Sequence, residues 1–184
     1  MNTYKAEGIV LKTINYQEAD KIVSIYTSKR GKVSCLAKGV RKLTSRKRGS
    51  LEVFNQISFF ATRGKGFDII TEVECLDDFN EWRGNLKKVA SAYEISEITD
   101  KLTAEEDEHG EVYEILVSAL IKLKFAKAEE LDFLVEKFGE KLLMVLGFWP
   151  KEKPFPGELS VFQKIEEIIE KELKSKNFSE KVKD

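Results

Sequence analysis

The sequence predicts an α+β chain of two domains, a five-stranded β-barrel over residues 1–80 followed by a helical bundle over residues 81–184. Three observations carry this. Up to about residue 80 the apolar residues fall in five short β-favouring runs separated by turn signals. From Glu81 onward they recur every three to four residues, the period of a helix face. Charge changes sign at the same place: residues 1–80 hold 14 Lys+Arg against 9 Asp+Glu, which leaves 17 of the 31 cations and 23 of the 32 carboxylates for residues 81–184.

In chain order, residues 4–13 form the opening strand. Residues 21–26 and 33–37 flank a hairpin turn at 28–31 closed by Gly31. Residues 53–61 and 67–76 flank a second glycine-containing connection at 62–66. No stretch between these runs has a helical pattern long enough for a crossover, and closing such strands into a small barrel hides their edges. In the second half, residues 86–102 are helical with a noisy pattern, and Val112, Ile115, Leu116, Ala119, Leu120 and Leu123 line one helix face. Leu131, Leu134, Val135, Phe138, Leu142, Val145 and Leu146 line another, and Phe162, Ile165, Ile168, Ile169 and Leu173 a third. Residues 147–150, ending in Pro150, stop one helix, and Pro154 and Pro156 delay the next. The tail, about 175–184, is polar.

Between Lys21 and Leu51 there is no Asp or Glu, yet the window carries ten cations, in a chain whose formal net charge is -1. Such a local field takes a polyanion as its counterion. Arg30, Lys32, Lys38, Arg41, Lys42, Arg46, Lys47 and Arg48, with Arg63 and Lys65 on the second connection, are the candidate phosphate-screening residues. Residues 41–49 are too polar for a strand and are expected to form a mobile loop held open by charge repulsion. Tyr26, Phe54, Phe59, Phe60 and Phe67 lie on or beside the strands and offer ring faces for unstacked bases. Because a strand alternates faces, at most one of Phe59 and Phe60 is buried.

Catalysis finds little to work with. His109, the one histidine, sits in an acidic stretch at 104–110 with no nucleophile beside it, and nucleophile-elbow and P-loop spacings are absent. Cys35 and Cys75 lie in apolar runs, read as buried small hydrophobes, and have no second Cys or His at metal-ligand spacing. No enzyme activity, metal or cofactor is therefore assigned. No apolar run reaches the roughly 18 residues of a membrane span, the N-terminus lacks a signal-peptide pattern, and the cysteine usage fits a reducing cytoplasm.

Residues 7–11, 18–23 and 38–42, with Ser45-Arg46, resemble the bacterial RecO recombination mediators, in which an opening strand, an acidic turn and a basic A-K-G-x-R-K segment occur in this order. Residues 138–143 and 146–150 are similar to the late helix of that family and its Gly-x-x-Pro exit. The resemblance implies an OB-fold followed by a helical domain, and carries Lys38, Arg41, Lys42, Ser45 and Arg46 over as DNA-binding positions. It implies a non-enzymatic protein of DNA repair that binds single- and double-stranded DNA and anneals complementary strands without ATP. RecR and the acidic tail of single-strand-binding protein are the implied partners, and help in loading the recombinase the implied outcome. Many relatives carry a four-cysteine zinc module after the exit, whereas residues 151–157 contain no cysteine. Read without the resemblance, the residues leave an RNA-binding protein and a protein-interaction adaptor open.

Overall fold

The computed structural model describes residues 2–156, 160–170, 173–174 and 182; the expected polar tail lies outside them apart from Val182. Two compact units result, one from Met1–Asp78 with Ala104–Tyr113, the other from Phe79–Thr103 with Glu114–Asp184. The acidic stretch between two helices thus groups with the strands.

The first unit is a closed barrel of β1 (Thr3–Tyr16), β2 (Asp20–Thr27), β3 (Gly31–Ala37), β4 (Gln56–Thr62) and β5 (Asp68–Asp77), in the spatial order β1-β2-β3-β5-β4 of an OB-fold. β1 closes it by serving two neighbours: Thr3 to Ile9 pair with β4, and Gly8 to Tyr16 pair with β2. Where the pairings overlap, a Cβ on Gly8 would lie 2.5 Å from Ile25 Cγ2, so only glycine lets the strand bend this closely over β2. Parallel pairing of Cys35 and Leu36 with Asp68 and Ile69 joins β3 to β5. Val10, Ile25, Cys35, Ile57, Phe59 and Ile70 fill the interior.

β4 begins at Gln56, not at Val53. Phe54 takes φ 77, a left-handed conformation that extended backbone does not contain, and this turns the chain before the strand starts. Phe54 N–H donates to Val10 O at 2.7 Å and Asn55 O accepts from Val10 N–H at 3.0 Å, which hold the turn against β1.

The second unit contains α1 (Asn80–Arg83), α2 (Leu86–Leu102), α3 (Gly110–Phe125, whose first turn belongs to the barrel unit), α4 (Leu131–Val145) and α5 (Val161–Ile169). The Asn85 side chain caps α2 by accepting from Lys87 and Lys88 N–H. Trp82 is buried, and its indole N–H donates to Leu120 O at 3.0 Å. α2 packs on α4 and α5. α5 stops at Ile169 where Glu170 turns left-handed, so Leu173, which the periodicity places on this helix, lies beyond its end.

Candidate nucleic-acid interface

Residues 41–49, expected as an open loop, lie within a chain of tight turns that runs over residues 38–54. Lys42 N–H donates to Gly39 O, Ser45 N–H to Lys42 O, Arg48 N–H to Ser45 O and Leu51 N–H to Lys47 O. Val40 and Leu51 are inserted into the barrel core at either end of the cationic stretch, and the Asn55 side chain donates to Gly49 O and Ser50 O. Apolar anchors and backbone hydrogen bonds thus oppose the repulsion between like charges.

Two of the candidate cations serve as anchors themselves. Arg41 Nη1 donates to Glu18 O at 2.9 Å and to Gln17 O at 3.3 Å, fixing the turn between β1 and β2. Lys47 Nζ donates to Ile70 O at 2.9 Å. Lys38, Lys42, Arg46 and Arg48 are exposed, and Ser45 is half-buried. Lys38 and Lys42 border a shallow depression with Gln17, Glu18 and Asp20, and Gly39 N–H donates to Asp20 Oδ1 at 2.7 Å on its floor.

Arg30, Lys32 and Arg63 belong to a different place. Arg30 Nη2 lies 3.5 Å and Arg63 Nη1 3.8 Å from Glu106 Oε1, and Lys32 is buried in β3. The Arg30 guanidinium sits 4.3 Å above the Tyr4 ring, and Tyr4 Oη donates to Asp68 Oδ2 at 2.8 Å. Burial pushes the Tyr4 hydroxyl far above its ordinary range, and burial pushes the Cys35 thiol beside it up to about 12, so neither carries charge near neutrality. Lys65 is exposed on the β4–β5 connection. The eleven candidate positions are therefore distributed among a cationic run of turns, the two arginines facing Glu106, a buried position on β3, and a loop.

Of the aromatic candidates, Tyr26, Phe54 and Phe59 are core residues. Phe60, the outward neighbour of Phe59, is 38% exposed with Lys5 Nζ 5.7 Å from its ring. Phe67 is exposed and meets Tyr16 edge to face, their centroids 6.4 Å apart. Sequence reasoning missed Tyr16, which lies at the far end of β1, beyond the expected strand. Its ring and Phe67 bring the β1–β2 and β4–β5 connections together, the loops through which OB-folds hold oligonucleotides. The signal available in the sequence was an aromatic next to the Gln17-Glu18 turn.

The helical unit has a groove of its own, about 560 Å³, between α3 and α4. Phe125 and Phe133 are 73% and 61% exposed along it, and Lys122, Lys137 and Lys141 border it. Neither phenylalanine falls on the apolar stripes that mark the helix cores. Among the described residues, no group of three His, Cys, Asp or Glu could hold a metal ion, and no helix is long and apolar enough to cross a membrane.

Residues 1–79 match the family model of the recombination protein O N terminal region, and residues 83–152 match that of its C terminal region. The chain is 37% identical over 152 residues to a DNA repair protein RecO of Rubrobacter xylanophilus, covering 82% of this chain and 60% of that protein. It is 32% identical over 150 residues to one of Pelotomaculum thermopropionicum and 35% identical over 150 residues to one of Desulforamulus reducens, in each case covering 82% of this chain and 57% of the relative. The chain thus spans less than two thirds of the length of these relatives.

Proposed function

Because the chain belongs to the recombination protein O family of DNA repair proteins, both of whose regional models it matches, we propose that it is a non-enzymatic recombination mediator that binds DNA and anneals complementary strands without ATP. The observation that carries this is the anchored cationic segment: Lys38, Lys42, Arg46 and Arg48 point outward from a backbone pinned at Val40, Leu51 and Asn55. Cations on a preformed support lose less freedom on meeting a phosphate backbone than cations on a loose loop. Screening the backbones of two strands lowers their mutual repulsion, and base pairing then supplies the driving force. Tyr16, Phe60 and Phe67 are the ring faces available for unstacked bases, each stack being worth about 1–3 kcal/mol.

A fluorescence annealing assay with complementary oligonucleotides and no nucleotide cofactor tests the reading. The wild-type chain accelerates annealing. K42A/R46A/R48A slows it and flattens the salt dependence of single-strand binding by about 0.7 log units per log unit of salt for each phosphate that is no longer neutralised. Unchanged annealing and an unchanged salt slope in that variant would remove the segment from the interface.

The α3–α4 groove supports a protein-partner role beside the DNA role. Exposed phenylalanines bordered by lysines suit a short peptide that is both acidic and apolar, the chemistry of the single-strand-binding protein tail that the family resemblance implies. RecR, and delivery of the recombinase onto single strands coated by that protein, belong to the same proposal. A labelled acidic-apolar peptide binds the wild-type chain and fails to bind F133A. Tight peptide binding with no oligonucleotide binding at physiological salt would replace the mediator reading with that of an adaptor, and tighter binding of RNA than of DNA of the same sequence would favour an RNA partner.

A further inference from the structure

The acidic segment at 104–109 does more than join two helices. Glu106 N–H donates to Lys32 O at 2.8 Å, and Lys32 and Glu105 form a parallel bridge, so the segment lies along the part of β3 that precedes its pairing with β5. Tyr26 Oη donates to His109 O at 3.1 Å. At Gly31, with φ +61, a Cβ would stand 1.9 Å from Asp107 O, so the docking uses the absence of a side chain there. Covering a strand edge would need only this backbone. The side chains go further. Glu105 Oε1 accepts from Ser34 Oγ at 2.8 Å, and Glu106 Oε1 faces both Arg30 and Arg63; Ser34, Arg63, Asp68, Gly64 and Gly66 line a cleft of about 540 Å³ together with the two carboxylates, and Arg30 approaches it through Glu106.

A serine hydroxyl and two arginines converging on anionic oxygens is the recognition chemistry of a phosphate. We propose that Ser34, Arg30 and Arg63 form a phosphate subsite for nucleic acid that the chain fills with its own carboxylates, Glu105 and Glu106, until a strand displaces them. The proposal rests on the nucleic-acid reading above. Arg30 is prepared for the exchange: its plane is set by stacking on Tyr4, and its Nε has no hydrogen-bond partner among the described residues. The carboxylate that holds it is exposed and sits at or beyond the limit of hydrogen-bond distance, so it is a weak competitor. A phosphate can accept two parallel N–H bonds from the same guanidinium. The bound segment would keep the subsite closed to isolated small anions and open to a polyanion that engages other parts of the barrel at the same time.

Anisotropy titrations of a labelled single-stranded oligonucleotide against the full chain, over a range of salt, test this with two charge-matched variants. E105Q/E106Q binds about threefold tighter or more, with a salt slope steeper by about 0.7 for the one phosphate the subsite takes. E72Q/E74Q removes the same charge from exposed positions of β5 and gains less, with an unchanged slope. Independently of any variant, the Glu106 amide of the wild-type chain exchanges its hydrogen faster once oligonucleotide is bound. Equal gains in the two variants, or a Glu106 amide equally or better protected in the complex, would overturn the proposal while leaving the nucleic-acid reading intact. No binding by any of the three proteins would sink that reading and the proposal with it.

Discussion

Phe59 and Phe60 are chain neighbours with opposite surroundings, 1% and 38% exposed. Phe59→Ala opens a cavity in the barrel core and costs about 3–5 kcal/mol in a denaturant melt, whereas Phe60→Ala stays within about 0.5 kcal/mol of wild type. Strand alternation made the pair's opposition legible in the sequence, but which member faces inward depends on register, which only the pairing with β1 and β5 sets. Cys35 and Tyr26 give a prediction in pH. The folded chain holds both protons to about 12, because burial disfavours the charged forms, against ordinary values of 9.0 and 10.0. Above about pH 9 the unfolded chain therefore binds fewer protons than the folded one, and stability falls as pH rises, by at most about 1.4 kcal/mol per pH unit for each group. Melts recorded from about pH 8 to about pH 11 show a falling midpoint, and Cys35→Ala makes the fall shallower.

Among the elements, the cationic segment departs furthest from its expectation. Composition shows like charges and polarity; it does not show that Val40 and Leu51 are long enough and suitably placed to enter the barrel, or that backbone carbonyls await Arg41 and Lys47. Formal charge alone gave Arg41 and Arg46 the same role, and the structure separates them. Arg41→Ala frees the β1–β2 turn and should weaken single-strand binding with little change in salt slope. Arg46→Ala removes an outward cation and should lower the slope by about 0.7. The same anisotropy series reads both. Strand and helix identities were legible because their periods differ, two against 3.6, and Gly147 and the prolines mark several ends. The late start of β4 was not, because the left-handed Phe54 is a conformation that phenylalanine does not advertise.

For the whole molecule, the basic and acidic halves seen in the sequence correspond closely to the barrel and the helices, except that the most acidic stretch belongs with the barrel. Such a return depends on residues far apart in the chain meeting at Lys32, Gly31 and Tyr26, and local patterns carry no trace of it. The exposed phenylalanines of the helical groove were hidden for a related reason: stripes identify what is buried, and residues off the stripe look like ordinary surface until a second helix borders them. The chain's return to β3 also bears on how this protein can be dissected. Cutting the gene after Asp78 would leave a barrel with a raw margin beside Lys32 and the Tyr26 hydroxyl stripped of its acceptor. Such a fragment should pair with itself through that margin and elute as a dimer or larger species, and adding a synthetic peptide of residues 104–113 should restore the monomer.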